Sequence, residues 1–421
     1  MNESSMDSPN TQDVIVIGAG IIGISIALKL QSEGRQVLVL DRKGVAAETS
    51  SGNAGAFAFA DVIPLATPGI MRKAPKWLFD PLGPLSLRPA YALKIFPWML
   101  RFWRASWQDK YQAALAAQAS LMDFSKAALE RQIQAVNGEA MIRREGQLQL
   151  YEGEAEFNAS LAGWQTRQQH GVIYEFLLSP DAIAKIQPGI HPRFTHAAFT
   201  PEWKNVCDPA EWTKHLAEEF EKLGGRIAIT SINSIAVNSD SVTLKSDAAD
   251  YETSQVVLAA GAWSKTLAQS IGDNLPLDTE RGYNTTLPAG AFNLKTHITF
   301  SNHGFVVTKV GEGIRVGGAV ELGGLRLPPN FKRAEVLLNK AASFLPGLKV
   351  DGGKQWMGFR PSMPDSLPVI SYSSRSQRVI YAFGHGHLGL TQSAGTAELV
   401  AALANTQAPD IDLTSFSATR F

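Results

Sequence analysis

Residues 13–23 read DVIVIGAGIIG, a run of apolar, mostly β-branched residues that passes into closely spaced glycines. The apolar run predicts a buried strand, and the glycines match the pattern Gly-x-Gly-x-x-Gly that joins a strand to a helix. Gly18 permits the tight turn, Gly20 lets backbone N–H groups approach a pyrophosphate, and Gly23 lets the helix pack on the strand. This stretch therefore predicts the start of a dinucleotide-binding βαβ unit, with the helix N-terminus facing the phosphates.

The predicted unit continues with a second strand that ends in an acid. Residues 36–41 read QVLVLD, and Asp41 follows Gly23 by 18 residues, a distance at which an acid accepts hydrogen bonds from a ribose. A glycine pattern alone would also fit a structural loop. Because the strands, the helix and the acid all agree, we interpret the unit as a nucleotide site. NAD and FAD both remain open on these residues alone.

The composition is that of a folded chain with no net charge. Its 421 residues predict two or three domains. The 39 Lys and Arg balance 39 Asp and Glu, which argues against a nucleic-acid partner. One cysteine, Cys207, excludes an intramolecular disulfide and a cysteine-based metal site, and we expect no metal. No apolar run has the length of a membrane span, and residues 1–12 lack the features of a signal peptide. We expect a cytoplasmic enzyme and leave open a peripheral contact with the inner face of the cytoplasmic membrane.

Three later segments favour a flavin over a nicotinamide cofactor. Residues 48–55 (ETSSGNAG) are small and polar, suited to lining a long cofactor, although they would also fit an ordinary loop. Residues 254–264 predict a strand that runs into a glycine turn. Residues 378–391 pass from a strand through a second Gly-x-Gly-x-x-Gly into a helix, with no later strand and acid. We interpret this turn as a helix N-terminus that stabilises the negative charge of a reduced flavin.

These segments occur with residues 280–283 (ERGY), 313–318 (GIRVGG) and 358–368 (GFRPSMPDSLP) in the order found in the D-amino-acid oxidase superfamily. The chain resembles that superfamily over nearly its whole length, and is most similar to the bacterial D-amino-acid dehydrogenase branch. The resemblance implies an α/β fold, α+β overall. It has a Rossmann-like FAD-binding domain, discontinuous in sequence, and a second, substrate domain built on a mainly antiparallel sheet.

The order of the motifs predicts how the chain divides. We expect residues 1–70, 195–270 and 352–421 to form the FAD-binding domain. Residues 71–194 and 271–351 are expected to form the substrate domain.

The motifs and the resemblance together assign a set of cofactor-binding residues. These are Gly18, Gly20, Ile22, Gly23, Asp41, Arg42, Thr49, Ser50, Asn53, Gly55, Ile232, Ala260, Gly261, Gly386, His387, Leu388 and Gly389. Some relatives attach FAD covalently, through a cysteine near the Gly-x-Arg-Pro motif or a histidine in the loop after the first acid. Residues 356–364 and 48–55 contain neither, so we expect non-covalent FAD.

Three residues are expected to be catalytic. The arginine that matches Arg360 in the family clamps the substrate carboxylate, for which a planar guanidinium fork is suited; the alternative is a structural arginine before a proline. Tyr283 is either a wall or hydroxyl donor of the substrate site, or a core tyrosine. His387, like His385, is either a base for the substrate ammonium or a local hydrogen-bonding group. His303 is a further candidate for facing the flavin or the substrate.

Residues 71–107 combine positive charge with aromatic side chains. The basic residues are Arg72, Lys73, Lys76, Arg88, Lys94, Arg101 and Arg104, and the one acid is Asp80. The aromatic residues are Trp77, Phe79, Tyr91, Phe96, Trp98, Phe102, Trp103 and Trp107. This composition is typical of a segment at a membrane interface, where docking would let a reduced flavin pass electrons to a quinone. The alternative is an internal helical hairpin with its aromatic side chains in the core.

The resemblance implies FAD-dependent oxidative deamination of a D-amino acid to a 2-oxo acid and ammonia. A hydride would pass from the α carbon to flavin N5, and the electrons then to a quinone or another acceptor. Alternatives within the superfamily are a dehydrogenase of D-proline or hydroxy-D-proline and an oxidase of glycine or sarcosine. A non-catalytic flavin relay subunit is an alternative of another class, against which Arg360 argues, because a relay has no carboxylate to hold. The flavin segments disfavour a nicotinamide-only dehydrogenase.

Overall fold

The computed structural model describes residues 13–70 and 85–421, and its first sheet is built on the predicted βαβ unit. Six strands of these residues form the sheet, in the spatial order Arg226–Ile229, Val37–Asp41, Val14–Ile17, Gln255–Leu258, Val379–Phe383 and Val369–Tyr372. The first five are parallel, and the last is an antiparallel edge strand. The strand, helix and strand predicted for residues 13–41 are thus confirmed.

The central strands of this sheet are buried on both faces, which explains their unbroken apolar runs. Val14 and Val16 enter the core on one face, whereas Ile15 and Ile17 enter the core on the other. The first face is covered by helices Ile21–Ser32, Gln108–Ala135, Pro209–Lys222 and Gly389–Ala404. The second is covered by helix Ser264–Ser270 and an antiparallel sheet of Ile232–Val237, Val242–Ser246 and Tyr251–Thr253.

A larger sheet forms the expected substrate domain. Its strands follow the spatial order Lys354–Ser362, Asp278–Leu287, Gly313–Leu322, Phe305–Val310, His297–Phe300, Gln147–Glu152, Phe194–Thr200 and Glu175–Leu177, and Leu85–Leu87 pairs with the end of Gly313–Leu322. Two of the pairings are parallel and the others antiparallel, so the sheet is mainly antiparallel. Helices Gly153–Gln169, Pro180–Ile186 and Lys332–Phe344 pack on this sheet.

Shorter elements connect the two large sheets. Ala56–Phe57, Lys204–Val206 and Ile142–Arg143 form a small antiparallel sheet, and helix Ala92–Ala105 lies in the basic, aromatic segment. Single 3₁₀ turns occur at Pro89–Tyr91, Glu139–Met141, Gly261–Trp263, Ser301–His303 and Thr414–Phe416.

Three elements join a different sheet or core from the one expected from their place in the sequence. Phe194–Thr200 and Lys354–Ser362 fall largely within segments expected in the FAD-binding domain, but both strands pair within the large sheet. Helix Gln108–Ala135 was expected in the substrate domain, yet it packs against Gly389–Ala404 in the core of the first sheet. The difference arises because the motifs mark cofactor contacts, whereas strand pairing and helix packing decide which core an element joins.

Candidate active site

A cavity of about 1540 Å³ lies where the carboxyl ends of the parallel strands face the large sheet. In open α/β sheets, ligands bind outside these strand ends. Gly18, Asp41 and Gly261 border the cavity on one side, and Gly282 and Arg360 border it on the other. The cavity therefore brings predicted nucleotide residues and a predicted substrate residue into one space.

The glycine turn is shaped by contacts that no side chain would allow. Gly18 has φ +113°, and a Cβ there would come within 2.8 Å of the Ala259 carbonyl carbon. A Cβ on Gly23 would overlap the carbonyl of Gly18, so Gly23 allows the helix to pack on the turn without itself bordering the cavity. A Cβ on Gly20 would lie 3.1 Å from Ser50 Oγ. These contacts agree with the tight turn predicted at Gly18 and the helix packing predicted at Gly23.

Two side chains fix the backbone of this turn. Asp41 Oδ2 accepts a hydrogen bond from the Ala19 N–H at 2.9 Å, and Oδ1 accepts one from the Lys43 N–H at 2.7 Å. Ser50 Oγ accepts a hydrogen bond from the Ile21 N–H at 2.9 Å. These hydrogen bonds hold the turn in shape. Asp41 and Ser50 also border the cavity, so the turn is fixed at the place where a nucleotide would bind.

Loop 48–55 is anchored from the large sheet. Arg315 Nη1 donates to the carbonyl oxygens of Asn53 at 2.5 Å and Ser51 at 3.3 Å, and burial lowers the pKa of its guanidinium. Asn284 Nδ2 donates to a third carbonyl of the loop at 2.7 Å. Neither anchor was predicted from the sequence. The GIRVGG motif that contains Arg315 was the available signal for one of them.

Within this loop, Asn53 closes the backbone on itself. Its Nδ2 donates to the Ser50 carbonyl at 3.0 Å, and its Oδ1 accepts from the Gly55 N–H at 2.7 Å. Asn53 and Thr49 border the cavity, and Thr49 Oγ1 donates to a carbonyl of the large sheet at 2.9 Å. Gly55 does not border the cavity; its φ is +66°, and a Cβ there would lie 3.1 Å from the Val206 carbonyl oxygen. Gly55 therefore supports the loop rather than the ligand.

Five more predicted cofactor residues line the cavity: Ile22, Arg42, Ile232, Ala260 and Gly261. The guanidinium of Arg42 is held from two sides. It pairs with Glu48 at 2.5 Å, and its Cζ lies 3.8 Å from the centre of the Trp263 ring. Arg42 is thus fixed at the edge of the nucleotide side of the cavity.

Both histidines of the glycine turn before the last helix border the cavity, but only the side chain of His387 is exposed. His385 is buried, and its Nε2 shares a 3.0 Å hydrogen bond with Thr396, which agrees with the local hydrogen-bonding alternative. The side chain of His387 is accessible from the cavity, and enclosure by the surrounding protein lowers its pKa. Of the two histidines, His387 is therefore the one placed to meet a ligand.

The same turn is tied to the strand that carries Arg360. The Gly386 N–H donates to the Pro361 carbonyl at 2.7 Å, and both Gly386 and Gly389 border the cavity. Leu388 does not border the large cavity, because its side chain is buried in an apolar cluster.

The position of Arg360 depends on a missing side chain and on a β-bulge. A Cβ on Gly282 would come within 2.5 Å of Arg360 Cζ, so the guanidinium occupies the space above this glycine. The bulge lies at Ala319, which has φ +56°, and the Ala319 carbonyl accepts from Arg360 Nη1 at 2.9 Å. The guanidinium of Arg360 makes no other hydrogen bond to the described residues, so its remaining N–H groups are free for a ligand. Burial lowers the pKa of the guanidinium, and the nearby Glu280 carboxylate opposes that shift.

The side chain of Tyr283 does not share the space above Gly282. Successive residues of a strand face opposite sides, and the Tyr283 hydroxyl donates to Glu321 Oε1 at 2.9 Å and accepts from the Asn330 N–H at 3.0 Å. Although Tyr283 borders the cavity, its ring is buried. The buried ring and the two hydroxyl partners favour the core-tyrosine alternative, while the place of Tyr283 in the cavity lining agrees with the wall alternative.

His303 also lies apart from the cavity. Its Nε2 pairs with Glu152 Oε1 at 3.0 Å, and its ring packs against Phe344 with 4.6 Å between ring centres. It is not among the residues that border the cavity, so His303 faces neither the flavin side nor the substrate side.

Helix Ala92–Ala105 has one face toward the cavity and one toward solvent. Trp98 and Phe102 border the cavity, and Trp98 Nε1 donates to the Ser362 carbonyl at 3.3 Å. The exposed apolar side chains of the helix are Leu93, Phe96, Leu100 and Trp103, and Trp107 just beyond its end is exposed as well. The helix thus has exposed apolar side chains, as a segment at a membrane interface would, and also inward-facing aromatic side chains, as an internal hairpin would. The rest of the basic, aromatic segment, residues 71–84, lies outside the described residues. Among the helices of residues 13–70 and 85–421, none is long and apolar enough to cross a membrane.

The arrangement fits FAD. Gly18 and Gly20 of the first turn, loop 48–55 and the second glycine turn border the same cavity. Its volume of about 1540 Å³ exceeds the roughly 300–1,000 Å³ of an ordinary small-molecule pocket, as a site for a dinucleotide and a substrate requires. The residues that would hold the cofactor are those of the first turn, loop 48–55 and the second turn.

Comparison with known proteins identifies a family by sequence and a similar fold among solved structures. Residues 13–403 match the family described as FAD dependent oxidoreductase. The chain is 35% identical to a D-amino-acid oxidase of Bradyrhizobium diazoefficiens, over 98% of this chain and 100% of the relative. It is 32% identical to a D-amino acid dehydrogenase of Rhizobium johnstonii, over 97% and 99%. The fold is similar to that of glycine oxidase from Geobacillus kaustophilus, with a TM-score of 0.78, 20% identity, and 97% and 99% of the two chains covered. The chain therefore belongs to the FAD dependent oxidoreductase family, and its cofactor is FAD.

Proposed function

We propose that this chain oxidises a D-amino acid to the corresponding 2-oxo acid and ammonia. FAD, when bound, would supply the two-electron oxidation at the α carbon, and hydrolysis of the resulting imino acid by water would release ammonia. The observation that carries the proposal is Arg360, whose free N–H groups border the same cavity as the nucleotide turn. The two relatives named for D-amino-acid oxidation and dehydrogenation support this substrate class.

In this proposal, Arg360 binds the α-carboxylate through its planar fork. Ala319 holds one guanidinium nitrogen, and the lack of a side chain at Gly282 leaves the group room to lie against the sheet. A clamp fixed in this way orients the substrate, because it determines where the α carbon lies relative to the rest of the cavity.

His387 is the proposed proton acceptor for the substrate ammonium. Its side chain is accessible from the cavity, and its lowered pKa keeps the ring neutral at neutral pH, the form that accepts a proton. His387→Asn tests this role. We expect the rate of flavin reduction in the variant to depend on pH through the substrate amine alone. An unchanged pH profile would remove His387 from the mechanism.

The substrate class is tested by anaerobic mixing of the purified holoprotein with D- and L-amino acids, glycine, sarcosine and hydroxy-D-proline. Loss of visible flavin absorbance with D-amino acids is the expected result. Bleaching by only glycine and sarcosine, or only hydroxy-D-proline, would assign one of the alternative substrates. A yellow protein that no amine bleaches would favour the relay subunit and overturn the proposal.

The Arg360 clamp is tested with Arg360→Met. Loss of one partner of a buried ionic contact costs about 3–5 kcal/mol, so kcat/KM should fall by roughly two to three orders of magnitude. Arg360→Lys keeps the charge without the fork and should recover only part of the loss. Arg375→Met is the matched control, because the side chain of Arg375 is 62% exposed. Equal activities of Arg360→Met and the control would show that Arg360 does not bind the substrate carboxylate.

We further propose that the exposed face of helix Ala92–Ala105 contacts an anionic bilayer and that a quinone accepts the electrons. Leu93 is 91% exposed and Phe96 56%, and the basic residues Lys94, Arg101 and Arg104 are exposed on the same helix. Apolar and aromatic side chains interleaved with positive charge suit the interface of an anionic membrane.

Flotation with vesicles containing anionic lipid tests the contact. Wild-type protein should bind these vesicles, less strongly at high salt, and Leu93→Glu with Phe96→Glu should abolish binding. Leu178→Glu is the control, since Leu178 is a 61% exposed residue outside this helix. No salt-sensitive binding by the wild type would contradict the membrane contact. Anaerobic reoxidation of the bleached protein by a soluble quinone, compared with reoxidation by air, tests the acceptor.

A further inference from the structure

Glu280 is a nearly buried carboxylate that borders the cavity directly opposite Arg360. It is 7% exposed, and the two residues are register partners in adjacent antiparallel strands. Partners in such a pair have their side chains on the same face of the sheet. Gly282 lies two positions along from Glu280 on that face, and the Arg360 guanidinium occupies the space above it. The carboxylate and the guanidinium therefore flank the same part of the cavity.

The Glu280 carboxylate has no protein partner among the described residues. None of them donates a hydrogen bond to it, and it forms no ion pair with Arg360, whose Nη1 is held by Ala319 instead. The buried acid Glu321, by contrast, has protein partners. Glu321 pairs with Arg281 at 3.1 Å and accepts from Tyr283. The Glu280 oxygens are not among the fully buried polar atoms that lack a partner, so the carboxylate is accessible from the cavity, where a positively charged ligand group could pair with it.

The ligand must carry a positive group close to a negative one. A guanidinium and a carboxylate that flank one space without pairing are complementary to a zwitterion, with its anion toward Arg360 and its cation toward Glu280. An α-amino acid is a small molecule with this charge arrangement. We propose that Glu280 binds the α-ammonium of the substrate and is a specificity-determining residue for amine-bearing acids. This inference rests on the proposed function and adds to it the basis for choosing an amino acid over other carboxylic acids.

The proposal is tested by titrating the holoprotein anaerobically and following the flavin spectrum. The ligands are a reactive amino acid from the panel and the carboxylic acid of the same side chain that lacks the amine. For Glu280→Gln, Kd for the amino acid should rise about 10- to 100-fold, the effect of losing a hydrogen bond to a charged group. Kd for the amine-free acid should stay the same or fall, because a negative charge near its carboxylate has been removed.

A second readout separates binding of the amine from a purely structural role. A carboxylate stabilises the ammonium form, so its removal should shift the pH profile of flavin reduction toward lower pH. Because Glu280 also raises the pKa of His387, the comparison is made in His387→Asn, where the same shift on adding Glu280→Gln can come only from the substrate amine. Glu280→Asp should recover part of the affinity. Glu156→Gln is the matched control, because Glu156 also borders the cavity but accepts a hydrogen bond from the Glu152 N–H. FAD content and melting temperature of each variant report whether the fold is intact.

Equal weakening of both ligands in Glu280→Gln would overturn the proposal, since it would indicate only a disturbed Arg360. No change for the amino acid would overturn it as well. Failure of the proposed function is distinguishable, because no amino acid would then bleach the wild type. The titration still tests Glu280 in that case. A wild-type preference for the amine-bearing acid that Glu280→Gln abolishes supports the proposal, and equal wild-type binding of both acids overturns it.

Discussion

Gly282 lies directly beneath the guanidinium of Arg360, and a Cβ at position 282 would come within 2.5 Å of Arg360 Cζ. The arginine is also held from the side by the bulged carbonyl of Ala319. The position of the candidate clamp thus depends on a residue that contributes no side chain at all.

Gly282→Ala should displace Arg360 while leaving the cofactor in place. The added methyl group competes with the guanidinium for one space, and a misplaced binding group can cost on the order of 10²-fold in rate. We expect kcat/KM to fall by about that factor with unchanged FAD content. Steady-state kinetics and the ratio of flavin to protein absorbance measure the two quantities. Unchanged kcat/KM would mean that the guanidinium moves aside at no cost.

Arg315→Met should weaken FAD binding more than it weakens catalysis by the loaded enzyme. Arg315 donates to two carbonyls of loop 48–55, and loss of hydrogen bonds from a charged donor costs about 1.5–3 kcal/mol each. We expect Kd for FAD, measured by reconstitution of the apoprotein, to rise at least about 10-fold. Arg193→Met is the control, because the side chain of Arg193 is 44% exposed and lies apart from the cavity. Equal Kd values in the two variants would contradict the anchoring role.

His297 should make the protein less stable in acid. Burial lowers the pKa of His297 to about 3, whereas an unfolded histidine titrates near about 6.5. Between these values the unfolded state binds a proton that the folded state does not, so stability falls as pH falls. The contribution of this one group approaches about 1.4 kcal/mol per pH unit. Urea unfolding measured from about pH 6.5 to 4.5 gives the free energy of unfolding at each pH. This free energy should fall less steeply with falling pH in His297→Gln than in the wild type, and equal slopes would refute the role of His297.

FAD should leave the protein on denaturation. Residues 48–55 and 356–364 contain no cysteine or histidine to form a covalent bond. Acid precipitation should therefore leave all flavin in the supernatant, measured by its absorbance. Flavin that stays with the pellet after washing would identify a covalent link elsewhere in the chain.

The sequence alone predicted the strands, the glycine turn and the helix on which the nucleotide half of the site is proposed. The glycine turn and Asp41 lie within one short βαβ unit, where spacing along the chain translates directly into position. The β-branched runs predicted the parallel strands because both faces of that sheet are buried. Motif order was enough to predict a discontinuous FAD-binding domain.

Only the tertiary structure determined which side chains meet on the substrate side. Glu280 and Tyr283 are three residues apart in the same strand, yet one borders the cavity with its carboxylate and the other directs its hydroxyl to Glu321. Which face reaches the cavity depends on strand register and on the bulge at Ala319, and neither has a signature in a single sequence. The physical reason is that local periodicity specifies an element and its two faces, whereas long-range pairing specifies what each face meets.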